Sequence, residues 1–171
     1  MGAGGHPEIL RRFARQNVHY VLIGVSGINF YAEEAARGFF TEDCDILLEP
    51  RPMNIFKACG ILEKEGYALE ANREPLVGID RWLANKLVER QAVIRAIKKD
   101  EIPLDLMTSG GGFSFKQWDH DKRIFKIGRI RVPVGNLLRL IRAKQKCNRE
   151  KDRKFLALYK IQLKETLREL P

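Results

Sequence analysis

The sequence contains no run of about 18 or more apolar residues, so no segment reads as a membrane-spanning helix. The opening stretch MGAGGHPEILRRFARQ lacks the apolar core of a secretory signal. Cysteine is scarce. Cys44, Cys59 and Cys147 are odd in number and scattered, which excludes a disulfide framework or a zinc-ligand spacing and makes a reducing cytoplasm the expected location. Histidine is as sparse: His6, His19 and His120 lie far apart, and no Ser–His–Asp set can be assembled from spacing. There is no internal repeat and no low-complexity linker. The one glycine run, Ser109 to Gly112, is not followed by Gly-Lys-Ser/Thr, so it reads as a turn rather than a P-loop.

What is present is an ordinary globular composition of 171 residues, 44% hydrophobic, enough for one domain with a sizeable core. The net charge is +9 and unevenly placed. Residues 135–171 hold eleven Lys and Arg against four Asp and Glu. Such a tail suits a polyanion, RNA or a nucleoside triphosphate; the plain alternative is a solvated helix face.

Hydrophobic periodicity predicts a short helix over 7–16, a buried strand over 18–25, a turn at Gly24–Gly27 and a helix from there to Gly38. A second strand, CDILLE, precedes a helix that starts at Pro52 and ends at Gly66. Residues 67–78 are ambiguous, with a hairpin one reading. Residues 80–101 carry a helical stripe, IPLDLMT reads as a third strand, and 123–134 as one strand or two about Gly128. Helices fill 134–147 and 150–170. The order predicts an α/β (α+β) fold, with a core over 1–134 and a basic C-terminal helical pair over 135–171 packed on it.

Asp43 and Asp45 project from one face of the second strand, because side chains alternate along an extended chain. Two like charges so close conflict unless a cation sits between them, and Mg²⁺ commonly takes one or two carboxylates plus substrate phosphates. Cys44, pointing the other way, reads as a small buried hydrophobe. Asp105 stands between Leu104 and Leu106 in an otherwise apolar strand. It is either a third carboxylate converging on the pair, enough for two metals and in-line phosphoryl transfer, or a satisfied carboxylate paired with an Arg. Gly24 and Ser26, in a small-residue turn opening a helix, offer an anion backbone N–H groups and a hydroxyl; Ser26 as a helix N-cap is the other reading. Phe113, Phe115 and Trp118 beside Lys116 can stack a base or anchor the core.

The phrase VLIGVSGINFYAEEAARGFFTEDCDILLE, a strand, small turn and helix followed by Thr41-x-Asp43-x-Asp45, resembles the nucleotidyltransferase superfamily with its DNA polymerase beta-like fold. The layout is most similar to its minimal prokaryotic members, including toxin and abortive-infection types. IPLDLMT resembles their third-carboxylate strand, and RIRVPVGNLLRLIRAKQKCNREKDRKFLALY their closing strand and helices. Lys144, Arg149, Lys151 and Asp152 fall at the basic element of that segment. Val25 departs from the usual turn, placing Ser26 one position late.

The resemblance implies a small mixed sheet flanked by helices. It implies Mg²⁺-dependent transfer of a nucleoside monophosphate from an NTP to a hydroxyl of RNA (tRNA among the candidates), protein or a small molecule. Asp43, Asp45 and Asp105 would be the metal and catalytic residues, and Gly24, Ser26, Lys144 and Arg149 would bind the nucleotide. The competing expectation is a catalytically weak or inactive module that holds RNA or a protein through its basic C-terminal helices.

Overall fold

The computed structural model describes residues 6–34 and 38–170. Among them the chain runs α1 (Pro7–Arg15), β1 (Tyr20–Leu22), α2 (Gly24–Glu34), β2 (Cys44–Leu48), α3 (Pro52–Lys64), β3 (Ala68–Ala71) and β4 (Glu74–Leu76). It continues through α4 (Arg81–Glu89), β5 (Ile94–Ile97), β6 (Leu104–Met107), β7 (Ser109–Gly110), β8 (Phe113–Ser114) and α5 (Phe115–His120). It closes with β9 (Arg123–Ile127), β10 (Ile130–Val134), α6 (Leu137–Cys147), α7 (Glu150–Leu158) and α8 (Lys160–Glu169). This is a mixed sheet flanked by helices with a helical C-terminal stretch. No helix among the described residues is long and apolar enough to cross a membrane.

Eight strands form one sheet in the order β4-β3-β5-β6-β2-β1-β10-β9. The pairs β2–β6 and β1–β10 are parallel and the rest antiparallel. Central β2 is buried on both faces: Ile46, Leu47 and Leu48 are all fully inaccessible. Helix α3 packs against both α1 and α4, and α2 packs against α6. Leu137, Leu140 and Ala143 of α6 and Leu163 of α8 join the same hydrophobic cluster as the central strands, so the basic tail is anchored by an apolar stripe.

Pro7 and Pro52 start α1 and α3, positions where a missing N–H costs nothing. The ambiguous segment is a hairpin, β3–β4. Asn72 and Arg73, both at positive φ (53° and 66°), make the two-residue turn whose twist matches its strands. Residues 123–134 are two strands about Gly128.

Four expectations need correction. The turn at Gly24–Gly27 is the first turn of α2: the Gly27 N–H donates to the Ile23 carbonyl at 3.0 Å. The strand before it is correspondingly short. The predicted helix over 80–101 is α4 followed by strand β5. Gln91 at φ 49° stops the helix, and in VIRAI the burial alternates, Ile94 and Ala96 in, so a period of two replaces the apparent helical stripe. Between β8 and β9, Ser114 and Gln117 form a reciprocal capping box that starts the unpredicted helix α5. The C-terminal pair is three helices, because the chain breaks at Tyr159, whose ring meets Phe39 at 4.5 Å and Phe155 at 4.9 Å. The predicted end of α2 near Gly38 falls partly on residues 35–37, outside those described.

Candidate functional site

In the parallel pairing of β2 with β6, Asp45 and Asp105 are direct partners across the ladder. Register partners point to the same face, so the two carboxylates stand side by side at one end of the sheet. Asp43, two residues ahead of Asp45, joins them from the loop entering β2. On the far side of β6, Arg95 of β5 is in turn the partner of Asp105. One guanidinium nitrogen, Nη1, donates to both Asp105 oxygens at 3.1 Å. Sheet order is therefore Arg95, Asp105, Asp45, and the arginine does not lie between the carboxylates. The Arg95 side chain is 40% exposed and that of Asp105 is 14% exposed.

Burial, then the charges of Asp43 and Asp105, push the Asp45 carboxyl up to about 6, against the pull of Lys144 and Lys151. Burial also raises Asp105; Arg95 opposes that rise and Asp43 adds to it. Burial pushes the Cys44 thiol up to about 12, as expected of a packed, inert side chain.

Gly24 makes this crowding possible. Its φ of +65° belongs to the left-handed region, and a Cβ there would lie 2.0 Å from Asp45 Oδ2. The Asp45 carboxylate thus rests directly against the first turn of α2, where the helix dipole favours negative charge. Ser26 is the third residue of α2 and not its N-cap. It is buried, and its hydroxyl donates to the Asp43 carbonyl at 3.1 Å. The Thr41 hydroxyl donates to the same carbonyl at 2.8 Å. The two hydroxyls pin the backbone that carries Asp43.

Facing the acidic floor is a basic wall from α6 and α7. Asp152, fully buried, accepts from Lys144 Nζ at 3.2 Å and from Arg149 Nε at 2.7 Å. Burial pushes the Asp152 carboxyl up, but the Arg149 hydrogen bond and the Lys144 charge outweigh it and hold it below the usual carboxylate range. Lys144 also stacks over Phe155 at 4.7 Å.

Two cavities meet here, both lined by Asp45, Lys144 and Arg149. One of about 340 Å³ adds Gly24, Met107, Trp118 and Cys147. The other, about 220 Å³, adds Asp43, Lys151, Phe40 and Phe155. Of the site residues proposed from sequence, Gly24, Asp43, Asp45, Lys144 and Arg149 line this cleft. Asp105 stands beside Asp45 but is engaged by Arg95, and Ser26 lies behind Asp43. Among the described residues, no group of three His, Cys, Asp or Glu side chains is arranged to hold a metal ion. Phe115 and Trp118 are buried, and the Trp118 indole donates to the Gly110 carbonyl at 3.0 Å, so these aromatics anchor the core.

Sequence reasoning missed Arg95, hidden inside a supposed helix; the alternation Ile94-Arg95-Ala96 was the signal that could have placed it on the Asp105 face. It also missed Phe40, which stands 78% exposed at the rim of the smaller cavity. The chain matches no known protein-family profile and no curated protein.

Proposed function

We propose that the cleft binds a nucleoside triphosphate and transfers its nucleoside monophosphate to an acceptor hydroxyl. The observation that carries this reading is the Asp45–Asp105 partnership across β2 and β6, with Asp43 on the same side and a cationic wall opposite. Two carboxylates lining a partly dry cleft, with Asp105 beside one of them, are a costly arrangement, and the raised Asp45 carboxyl is its symptom. The donor set fits Mg²⁺: Asp43 and Asp45 would hold it, and Asp105 would complete a second site on leaving Arg95. Bound there, Mg²⁺ supplies charge neutralisation at the phosphates.

The chain's own residues do the rest. Gly24 and the start of α2 present backbone N–H groups to the triphosphate. Lys144 and Arg149 stabilise charge developing on the leaving pyrophosphate. Asp105 takes the acceptor's proton as its oxygen attacks the α-phosphorus and the bond to the β-phosphate oxygen breaks. Ser26 and Thr41 hold Asp43 in place.

The test is transfer of label from α-labelled NTPs to RNA or protein with Mg²⁺, using Asp43→Asn as control. Label that needs both Mg²⁺ and Asp43 supports the reading; its absence from every acceptor class counts against it. A second reading, a nucleotidyltransferase-fold module that binds RNA or protein without catalysis, is favoured by two observations. Arg95 engages Asp105, and Ser26 donates to a backbone carbonyl rather than facing a phosphate. Salt-sensitive RNA binding unchanged by Asp43→Asn, with no transfer, would select it.

A further inference from the structure

Away from the cleft, α1 and the β9–β10 hairpin pack together and form a second basic surface. A groove of about 590 Å³ runs between them, with Arg11 and Arg15 on the helix bank, Arg129 on the hairpin bank and Ile127 and Ile130 on its floor. Ile9, Leu10 and Phe13 are the buried face of α1, so Arg11 and Arg15 stand exposed one turn apart on the other. Arg129 sits at the tip of the two-residue turn after Gly128. Lys126 and Arg131, direct cross-strand partners and both exposed, stand on the outer face of the hairpin, opposite to Ile127 and Ile130 and just around the tip from the groove.

Two like-charge pairs therefore flank the hairpin tip at this corner, Arg11/Arg15 on the groove side and Lys126/Arg131 on the outer face, with Arg129 at the tip between them. Each arrangement is locally unfavourable. Compensation is slight. Arg11 pairs with Glu8 at 2.6 Å, whereas Arg15, Lys126, Arg129 and Arg131 have no carboxylate partner among the described residues. Four uncompensated cations, three of them arginines, are relieved by a ligand carrying regularly spaced phosphates, which guanidinium groups grip by their paired N–H donors.

We infer that this corner holds a nucleic-acid strand by its phosphodiester backbone. The lining has no aromatic side chain to stack a base and no Asn or Gln to read one, so binding is indifferent to sequence. An anionic membrane is a poorer occupant: the groove is concave, and Ile124, 38% exposed, is the one large apolar side chain of the hairpin that stands out from it. The inference is independent of the chemistry in the cleft, and none of the residues lining the groove belongs to the basic C-terminal helices. Strand β10 leads from the corner to Val134, the partner of Leu22 beside Gly24, a span of roughly 13 Å at strand rise.

The test is fluorescence anisotropy of the whole chain with labelled oligouridine and oligoadenine over a salt series. The two RNAs are expected to bind alike. Arg15→Ala/Arg129→Ala/Arg131→Ala is expected to weaken both at least about tenfold and to reduce the salt slope by about two. Lys160→Ala/Lys164→Ala/Arg168→Ala on α8 is expected to leave binding unchanged. The milder pair Lys126→Gln/Arg131→Gln, expected to lose roughly fivefold, covers the case in which the triple variant unfolds. Wild-type binding by neither RNA, equal binding by the corner variants, a loss confined to the α8 variant, or a clear preference for phosphatidylserine vesicles over RNA would each overturn the proposal.

Discussion

Asp45 on the strand floor of the cleft and Asp152 behind its helical wall are both carboxylates withdrawn from water, and their surroundings push them in opposite directions. Asp152 has two cations within hydrogen-bond reach and ionises more readily than a free carboxyl. Asp45 has two other acids for neighbours and ionises only near pH 6. The fold evidently can satisfy a buried acid in this region. That it does so in the helical wall, while Lys144 and Lys151 only partly offset the rise at Asp45, is the contrast that a cation bound at the strand floor would remove.

Removing the satisfied partner should have the largest effect on stability. Asp152→Ala leaves Lys144 without its acceptor in a nearly closed site and is expected to cost about 3 kcal/mol in denaturant unfolding at neutral pH. Because the Asp152 carboxyl is held low, its contribution is present above the ordinary carboxylate range and is lost as pH falls through its lowered value. The deficit of the variant should therefore shrink in strong acid.

Asp45→Asn should do the reverse. The folded-state value lies above the unfolded one, so stability linked to Asp45 is complete below about pH 4 and is lost as pH rises through about 6. The variant escapes that loss and should be more stable than wild type by about 2 kcal/mol at pH 8 in chelator, with a flatter stability profile between those values. Nucleotidyl transfer should fall at least about 100-fold in the same variant. Equal stability of the two proteins at pH 8 would erase the contrast with Asp152.

Ser26→Ala is expected to cost about 1 kcal/mol through the lost bond to the Asp43 carbonyl. Its kinetic signature sharpens the role: a fall in kcat with an altered Mg²⁺ requirement identifies a residue that positions Asp43, whereas a rise in KM for the NTP alone identifies direct phosphate contact. The smallest change belongs to Arg95→Gln. The pair is partly exposed, so thermal melts should move by only about 0.5 kcal/mol equivalent. Losing the guanidinium lets the Asp105 carboxyl rise further, so the acidic limb of the transfer pH profile should shift upward.

Elements governed by local chemistry were legible in the sequence. Proline at helix starts, the apolar run of β2 and the alternation that put Asp43 and Asp45 on one side all follow from nearest neighbours along the chain. Pairing was not legible: Asp105 faces Asp45 because β6 lies beside β2, a long-range choice that the isolated strand does not encode. The error over residues 80–101 has the same root. Val88, Ile94 and Ile97 fit a helical stripe by spacing, and only the left-handed residue Gln91 and the sheet edge offered by β3 and β6 turn the second half into β5. Missing that strand hid Arg95, whose guanidinium holds both Asp105 oxygens and opposes the rise that burial imposes on that carboxyl.

The contact between Gly24 and Asp45 also constrains descent. The space a methyl group would need at one position is filled by an oxygen from the other, so the two sites cannot drift independently. In any relative of this chain, a side chain at the first position should be accompanied by a smaller residue at the second. Such a paired replacement would be a visible scar of a lineage that has abandoned the acid on its central strand.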